Sequence, residues 1–377
     1  MDEIQENRIS MRLLQITASN VWRGHEQQIV YYYDEFAGKI EHQVLLCTPG
    51  TRLAEIAEEK KYNYHTLPFT SEYDIKWMRK IRQIVKEDKI DIILIHNSTA
   101  HTLCVMASLL FGLNTSMVFF RTLIKRVDTN FFRKWKYNYK HLKKIVCVSD
   151  AVRESLLPAI KDHSRLCIVG SATNLDEFSI RSKRGILQKE LGIDNNTKII
   201  ANISAFVGFK DHVTFINTAA ILKHSLQDVK FVLIGKGELE DEIKEMATAK
   251  GLANDVVFLG FRTDIPEIFP DFDIFLFTSK LEPTGGVLLE AYASHVPVVA
   301  AKAGGVPEVV IDGKTGILCE KENAQDFADA VMQLVNNPAI KERMINDGYK
   351  YLVENFTKEV IAEKMLNELK NVYIGKK

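Results

Sequence analysis

The sequence predicts an α/β protein built as two doubly wound, parallel-sheet domains. Two observations carry this. Short apolar runs alternate with helical patterns along the whole chain, and the alternation falls into two series separated by one weakly patterned stretch, 176–196. Such βαβα alternation implies parallel sheets covered by helices on both faces. The length of 377 residues agrees, being too long for one typical core.

The first series places strands at 13–17, 43–48, 64–67, 92–95, 117–120 and 144–148, with the fold beginning near Met11. The second places them at 198–203, 230–234, 256–259, 274–277, 296–300 and 316–318. Between them, 26–36, 77–87, 211–222 and 238–250 read as helices. These patterns give an N-terminal domain over 1–178 and a C-terminal domain over 179–357. The last helix, 358–372 and on towards 377, either completes the second domain or packs back on the first. Ligands of doubly wound sheets bind beyond the carboxyl ends of the strands. With two domains, that predicts a site in the cleft between them.

Composition narrows the function. Apolar residues make up 46% and charged residues 26%, globular values that argue against disorder. Lys+Arg and Asp+Glu both total 49, so no net field draws the chain to nucleic acid or membrane, and any such contact needs a local patch. The cysteines, Cys47, Cys104, Cys147, Cys167 and Cys319, form no Cys-x-x-Cys pair and are odd in number, which fits buried thiols in a reducing compartment. The N-terminus is polar and acidic, unlike a secretion signal. Residues 102–120 lack any charge over a length that raises the spanning question. Gly112-Leu-Asn-Thr-Ser116 breaks that stretch, so it reads as a helix over 99–111, a turn and a strand.

The stretch 278–308 is the most informative. It follows an apolar strand and sets Glu282 and Glu290 on either side of Gly285–Gly286, where a helix opens. A helix N-terminus has unpaired N–H groups and partial positive charge, so it attracts phosphate, and glycine lets an anion come close. Eight residues of continuous helix span about 12 Å, more than a hydrolytic carboxylate pair uses. The two glutamates therefore read as ligand holders around a phosphate, a pattern for a nucleotide-diphosphate sugar. The plainer alternative is a surface capping carboxylate and a solvated helix residue.

Here the chain resembles the family-4 retaining glycosyltransferases (glycosyltransferase group 1), which have the GT-B fold of two Rossmann-like domains facing across a cleft. The resemblance rests on Glu282 and Glu290 at their spacing, the strand 296–300 and Gly304-Gly-Val-Pro-Glu308. It extends over nearly the whole chain and is strongest in the C-terminal half. It implies a metal-independent, hexosyltransferase-type enzyme that moves a sugar, with retention, from a UDP- or GDP-sugar to an acceptor hydroxyl, with no other cofactor. It further implies Glu282 on the transferred sugar, Glu290 on the ribose, and the backbone of Gly285, Gly286 and Val287 on the diphosphate. The expected setting is cell-surface polysaccharide or lipid-linked glycan synthesis in the cytoplasm. The rivals are a nucleotide-sugar epimerase of the same fold and a non-catalytic binding protein.

Other positions follow from the same likeness. Lys210 ends the loop after 198–203 and would hold the diphosphate, but the Arg that relatives carry nearby is missing between Ser204 and Phe209. Gly235, in Gly-Lys-Gly, reads as a nucleotide-side loop or a tight turn, and Arg262 falls in the base-binding neighbourhood. Asp271-Phe-Asp273 precedes a strand, whose alternate residues face opposite ways, so no metal site is expected. Gly24 in Arg23-Gly-His-Glu26 is half of the usual Gly-Gly turn. His96 and His101 follow the strand 92–95 and are candidates to orient an acceptor, or satisfied loop histidines. Arg121 stands where relatives often present His; it cannot serve as a base and suits an anionic or phosphorylated partner. The segment 121–144 holds nine basic residues, including Lys125, Arg126, Arg133 and Lys134, against one acid, with Trp135 and other aromatics interleaved. It reads as a helix that lies on an anionic membrane surface, peripheral to the cytoplasmic membrane, or as a solvated helix with its aromatics inward. No nucleic-acid motif accompanies it.

Overall fold

The computed structural model describes residues 8–22, 24–127 and 130–375. Its contacts divide into two units: the chain up to Ala172 together with the segment from Lys358, and Thr173–Thr357. Arg23 and Asp128, named above, lie outside the described residues.

The first unit holds seven parallel strands: β1 (Ile9–Ile16), β2 (Ile40–Cys47), β3 (Tyr64–Thr66), β4 (Ile92–Ile95), β5 (Ser116–Arg121), β6 (Leu142–Cys147) and β7 (Leu166–Ile168), in the order β3-β2-β1-β4-β5-β6-β7. The order reverses between β1 and β4, which creates a crevice at their carboxyl ends. β4 and β5 are buried throughout, as strands covered on both faces must be. β7 was not expected; three residues are too short to show a pattern. The uncharged stretch 102–120 is the helix Ser98–Phe111, capped by Gly112 at φ 64°, and then β5. Among the described residues, no helix is long and apolar enough to cross a membrane.

The last helix, Lys358–Ile374, belongs to this unit. It packs on the helix Gly24–Phe36, buries Ile361, Met365, Leu366 and Leu369, and pairs Glu368 with Lys144 at 2.8 Å.

The second unit holds β8 (Lys198–Ile203), β9 (Val229–Ile234), β10 (Val256–Gly260), β11 (Ile274–Phe277), β12 (Val298–Ala301) and β13 (Ile317–Cys319), in the order β10-β9-β8-β11-β12-β13. Alternation along the strands makes two cores. Ile200, Phe231, Leu233 and Leu276 face one layer of helices, and Ile199, Val232, Phe275 and Phe277 face the other.

The stretch 176–196 is not a linker, contrary to the sequence reading. It contains the helix Ile186–Leu191 with Leu187 fully buried. Asp271 fastens it by accepting from the N–H groups of Arg184, Gly185 and Leu187 at 2.7–2.9 Å. The units part at Ala172/Thr173 and Thr357/Lys358 instead.

Candidate active site

In the second unit the strand order reverses between β8 and β11, so the loops leaving these two strands frame its crevice. They are stitched together. Lys280 N–H donates to Phe209 O at 2.8 Å, and the Thr278 hydroxyl donates to Asp211 O at 3.0 Å. Lys210 Nζ lies 2.5 Å from Glu282 Oε2, and Gly305 N–H donates to Glu282 O at 2.8 Å. The last contact ties the Gly304–Gly305 turn to the Glu282 loop, joining the two halves of the sequence signature. Beneath, Asn202 donates to Leu276 O and accepts from Ser204, which is paired to His212 at 3.0 Å. Burial, with Lys210 adding, pushes the His212 imidazole down to about 4, so it stays neutral. Thr278, Asn202, Ser204 and His212 escaped the sequence reading because their role appears only once the two loops meet.

The helix Gly286–Ala293 opens at Gly285, whose φ of 76° is left-handed. A Cβ there would stand 2.7 Å from Leu288 Cδ1, whereas one on Gly286 would meet nothing within 4 Å. The cap offers no side-chain acceptor, so the first N–H groups are left for another partner. Glu290 lies one turn in. It is half-buried, and among the described residues its carboxylate has no hydrogen-bond or ion-pair partner. Although part of its surface is accessible, burial, with Glu177 adding, pushes its carboxyl up to about 7. Glu282, Lys210 and Gly285 thus belong to the crevice loops, and Gly286, Val287 and Glu290 to the first turns of the helix that follows, all in one unit. A cavity of about 320 Å³ borders the Lys210 loop, lined by Val207, Asp211, His212, Asn217 and Lys280 among others, but not by either glutamate.

Two other positions named in this unit also have structural roles. Gly235 and Gly237 serve packing. A Cβ on Gly235 would fall 2.0 Å from Ser204 O, and one on Gly237 would fall 2.4 Å from Phe206 O, so both permit the β8 and β9 loops to touch. Arg262 is engaged by Asp264 at 2.6 Å and Glu190 at 2.6 Å, which makes its side chain a clamp on the helix Ile186–Leu191. Asp271 and Asp273 also fasten backbone. Asp273 accepts from Ile199 N–H at 2.9 Å and pairs with Lys183 at 3.0 Å.

In the first unit, Gly24 is exposed and opens the helix Gly24–Phe36, with open space at its Cα. His96 is not an acceptor-facing group. It is 1% exposed, bonded to Gln15 at 3.0 Å, stacked on Tyr32, and pushed down to about 3 by burial. His101 is fully buried between Phe119 and Tyr137, and burial holds it well below the usual imidazole range. Both follow β4 in sequence, but His96 continues its ladder, donating its N–H to Ile16 O at 3.0 Å, and His101 lies on a buried position of the helix Ser98–Phe111. Arg121 ends β5 and is 5% exposed. The basic helix is only Phe131–Tyr137. Lys125, Arg126 and Arg133 are exposed and Lys134 and Trp135 half-buried, with Trp135 against Phe132 and Tyr139. Leu123 at 56% and Phe131 at 85% stand in solvent, while Lys136, Tyr137 and Tyr139 turn inward.

Comparison with known proteins decides the family. A family model of the group 1 glycosyl transferases matches residues 183–351, and one of glycosyltransferase family 4 matches residues 22–177. The chain is a family-4, group 1 glycosyltransferase. It has the GT-B fold, and its activity is transfer of a sugar from a nucleotide-diphosphate sugar to an acceptor. It is 25% identical over 310 residues to the N-acetyl-alpha-D-glucosaminyl L-malate synthase of Bacillus anthracis, covering 80% of this chain and 79% of the relative. It is 24% identical over 312 residues to the UDP-Gal:alpha-D-GlcNAc-diphosphoundecaprenol alpha-1,3-galactosyltransferase of Escherichia coli, covering 80% and 79%. Anabaena Alr3699/HepE, solved in complex with UDP-glucose, superposes with a TM-score of 0.81 at 20% identity, over 96% of this chain and all of that one.

Proposed function

We propose that this glycosyltransferase acts with retention of configuration and without a metal ion, on a UDP- or GDP-sugar, in surface-polysaccharide or lipid-linked glycan synthesis. The observation that carries the donor assignment is Glu290: a desolvated carboxylate with no partner among the described residues, one turn inside a helix whose N-terminus has no side-chain cap. It accepts from ribose hydroxyls while the N–H groups of Gly286 and Val287 take the diphosphate. Lys210 then leaves Glu282 for the diphosphate, and Glu282 accepts from hydroxyls of the sugar.

The bond from the anomeric carbon to the phosphate oxygen breaks as the bond to the acceptor oxygen forms on the same face. The acceptor proton passes to the departing phosphate oxygen. Lys210 and the helix terminus stabilise the leaving charge, so the missing Arg leaves one side-chain cation on that loop for it. The names of the relatives above support a nucleotide-sugar donor and a hydroxyl acceptor on a small acid or a lipid diphosphate. The exposed Leu123, Phe131, Lys125, Arg126 and Arg133 support contact with an anionic membrane surface from the cytoplasm. No observation favours the epimerase or the non-catalytic reading.

The test is turnover with UDP- and GDP-sugars in EDTA, with the product's anomeric configuration read by NMR. Retention in EDTA is expected. An inverted product, or activity that returns only with a divalent ion, would contradict this mechanism.

A further inference from the structure

Two cations of the first unit, Arg121 and Lys136, are buried. Arg121 is 5% and Lys136 7% exposed, and among the described residues neither has a carboxylate within ion-pair distance. Their hydrogen-bond partners are neutral, and all but Lys125 O lie on one helical turn. Arg121 Nη1 donates to Ser98 Oγ at 2.8 Å, and Arg121 Nη2 to Lys125 O at 3.3 Å. Lys136 Nζ donates to Thr102 Oγ1 at 2.9 Å and to Ser98 O at 3.4 Å. Among the described residues, Arg121 Nε is buried without an acceptor.

Ser98 and Thr102 lie in the first turns of the helix Ser98–Phe111, whose cap residue Asn97 accepts from Ala100 N–H at its side chain and from His101 N–H at its carbonyl. The N–H groups of Ser98 and Thr99 remain, and both residues are half-exposed, which leaves a way in from solvent. Burial pushes Lys136 down to about 8, opposed by Glu72 and reinforced by Arg121 and Arg133, so it is still charged at neutral pH.

Burying a charge without a partner is unfavourable, and apolar replacements of such groups are often neutral or stabilising. A guanidinium, an ammonium, a hydroxyl and a helix N-terminus around one point are the donor set of a phosphate site. The position, at the carboxyl ends of β4 and β5, is where ligands of parallel sheets bind. We infer that Arg121, Lys136 and the first turn of Ser98–Phe111 form a subsite for the phosphate of a phosphorylated acceptor. This rests on the glycosyl-transfer reading only for the word acceptor; the subsite itself is a property of the first unit.

The probe is inorganic phosphate, followed by thermal melting and by ³¹P line broadening against chloride of equal ionic strength. Phosphate should raise the melting temperature of the wild type. The effect should survive Lys210→Ala, which removes the donor-side cation. It should weaken about tenfold or more in Lys136→Met and Arg121→Gln, the loss expected for one charge-assisted hydrogen bond. Lys136→Met should also melt higher than wild type when phosphate is absent, which a lysine retained for structure would not do. Should Arg121→Gln fail to fold, Arg121→Lys keeps the charge and should retain most of the response.

Glycerol 3-phosphate and vesicles containing phosphatidic acid separate a soluble phosphate ester from a lipid one, since only the true class should respond in a Lys136-dependent way. No phosphate effect on the wild type, or one that vanishes in Lys210→Ala and persists in Lys136→Met, would overturn the subsite. UDP affinity, measured on the same samples, reports the donor site separately. Its absence would count against the proposed donor and leave the phosphate result standing.

Discussion

Glu290 carries two opposed demands. Its carboxyl is pushed up to about 7 by burial, with Glu177 adding. The unfolded chain therefore releases this proton at lower pH than the folded one. Stability from this group is full below the ordinary carboxylate range and is lost as pH rises through about 7, at about 1.4 kcal/mol per pKa unit. Glu290→Gln should remove that slope, so the variant should melt above wild type at pH 8 and match it near pH 4. The same variant should bind the nucleotide more weakly. Equal pH–melting profiles for the two proteins would refute the assignment. Lys210 and Glu282, in contrast, neutralise each other at 2.5 Å in the free chain. Glu282→Gln frees Lys210, so nucleoside diphosphate should bind as tightly as in wild type or tighter while turnover falls by at least tenfold; a parallel loss of both would place Glu282 on the diphosphate instead. His96 plays no part in either. Its ring is buried against Tyr32 and bonded to Gln15, so His96→Ala should destabilise by about 2 kcal/mol or more through the cavity and the orphaned amide.

At the scale of elements, the two glycines of the signature separate fold from function. Gly285 is held at φ 76° with Leu288 where a Cβ would go. Gly285→Ala should lose about 1–3 kcal/mol of stability. Gly286 has open space and a helical first position. Gly286→Ala should leave the melting temperature within a degree or two and still weaken nucleotide binding, because the methyl occupies the phosphate's approach. A variant that melts normally and binds normally would exclude that helix terminus from the site. This pair was legible in the sequence because turn, helix start and flanking strands are all local. Gly235 was not. Its reason is Ser204 O, thirty-one residues away, and no local pattern reports that one loop leans on another. Asp271 and Arg262 show the same limit: both are charges in sequence, and only the fold shows that both fasten the helix Ile186–Leu191.

On the scale of the molecule, the two-sheet α/β architecture was readable because buried parallel strands are continuous apolar runs spaced by amphipathic helices. The unit boundary was less so. Weak patterning at 176–196 suggested a linker, but Phe178 and Leu187 are buried there and Ile186, Leu191 and Ile193 pack against the core. The N-terminal site residues were the least legible, since a histidine after a strand reads alike whether the following helix opens it to solvent or closes it in. The last helix supplies a test at this scale. Ending the chain at Thr357 would expose the bed of Ile361, Met365, Leu366 and Leu369. That is a loss on the order of 10 kcal/mol, comparable with the stability of a domain. The shortened protein should be insoluble or molten, with ANS binding as the readout; a cooperative melt near that of the full chain would show the helix to be dispensable.

The central claim is that the crevice loops of the second unit hold a nucleotide-diphosphate sugar through Glu290 and an uncapped helix terminus. Calorimetric titration of UDP, GDP and ADP, each with and without magnesium, into wild type and Glu290→Ala tests it most directly. The account predicts selective binding of one nucleotide, unchanged by magnesium and weakened by the substitution. Equal affinity in the two proteins, or binding of none of the three, would contradict it.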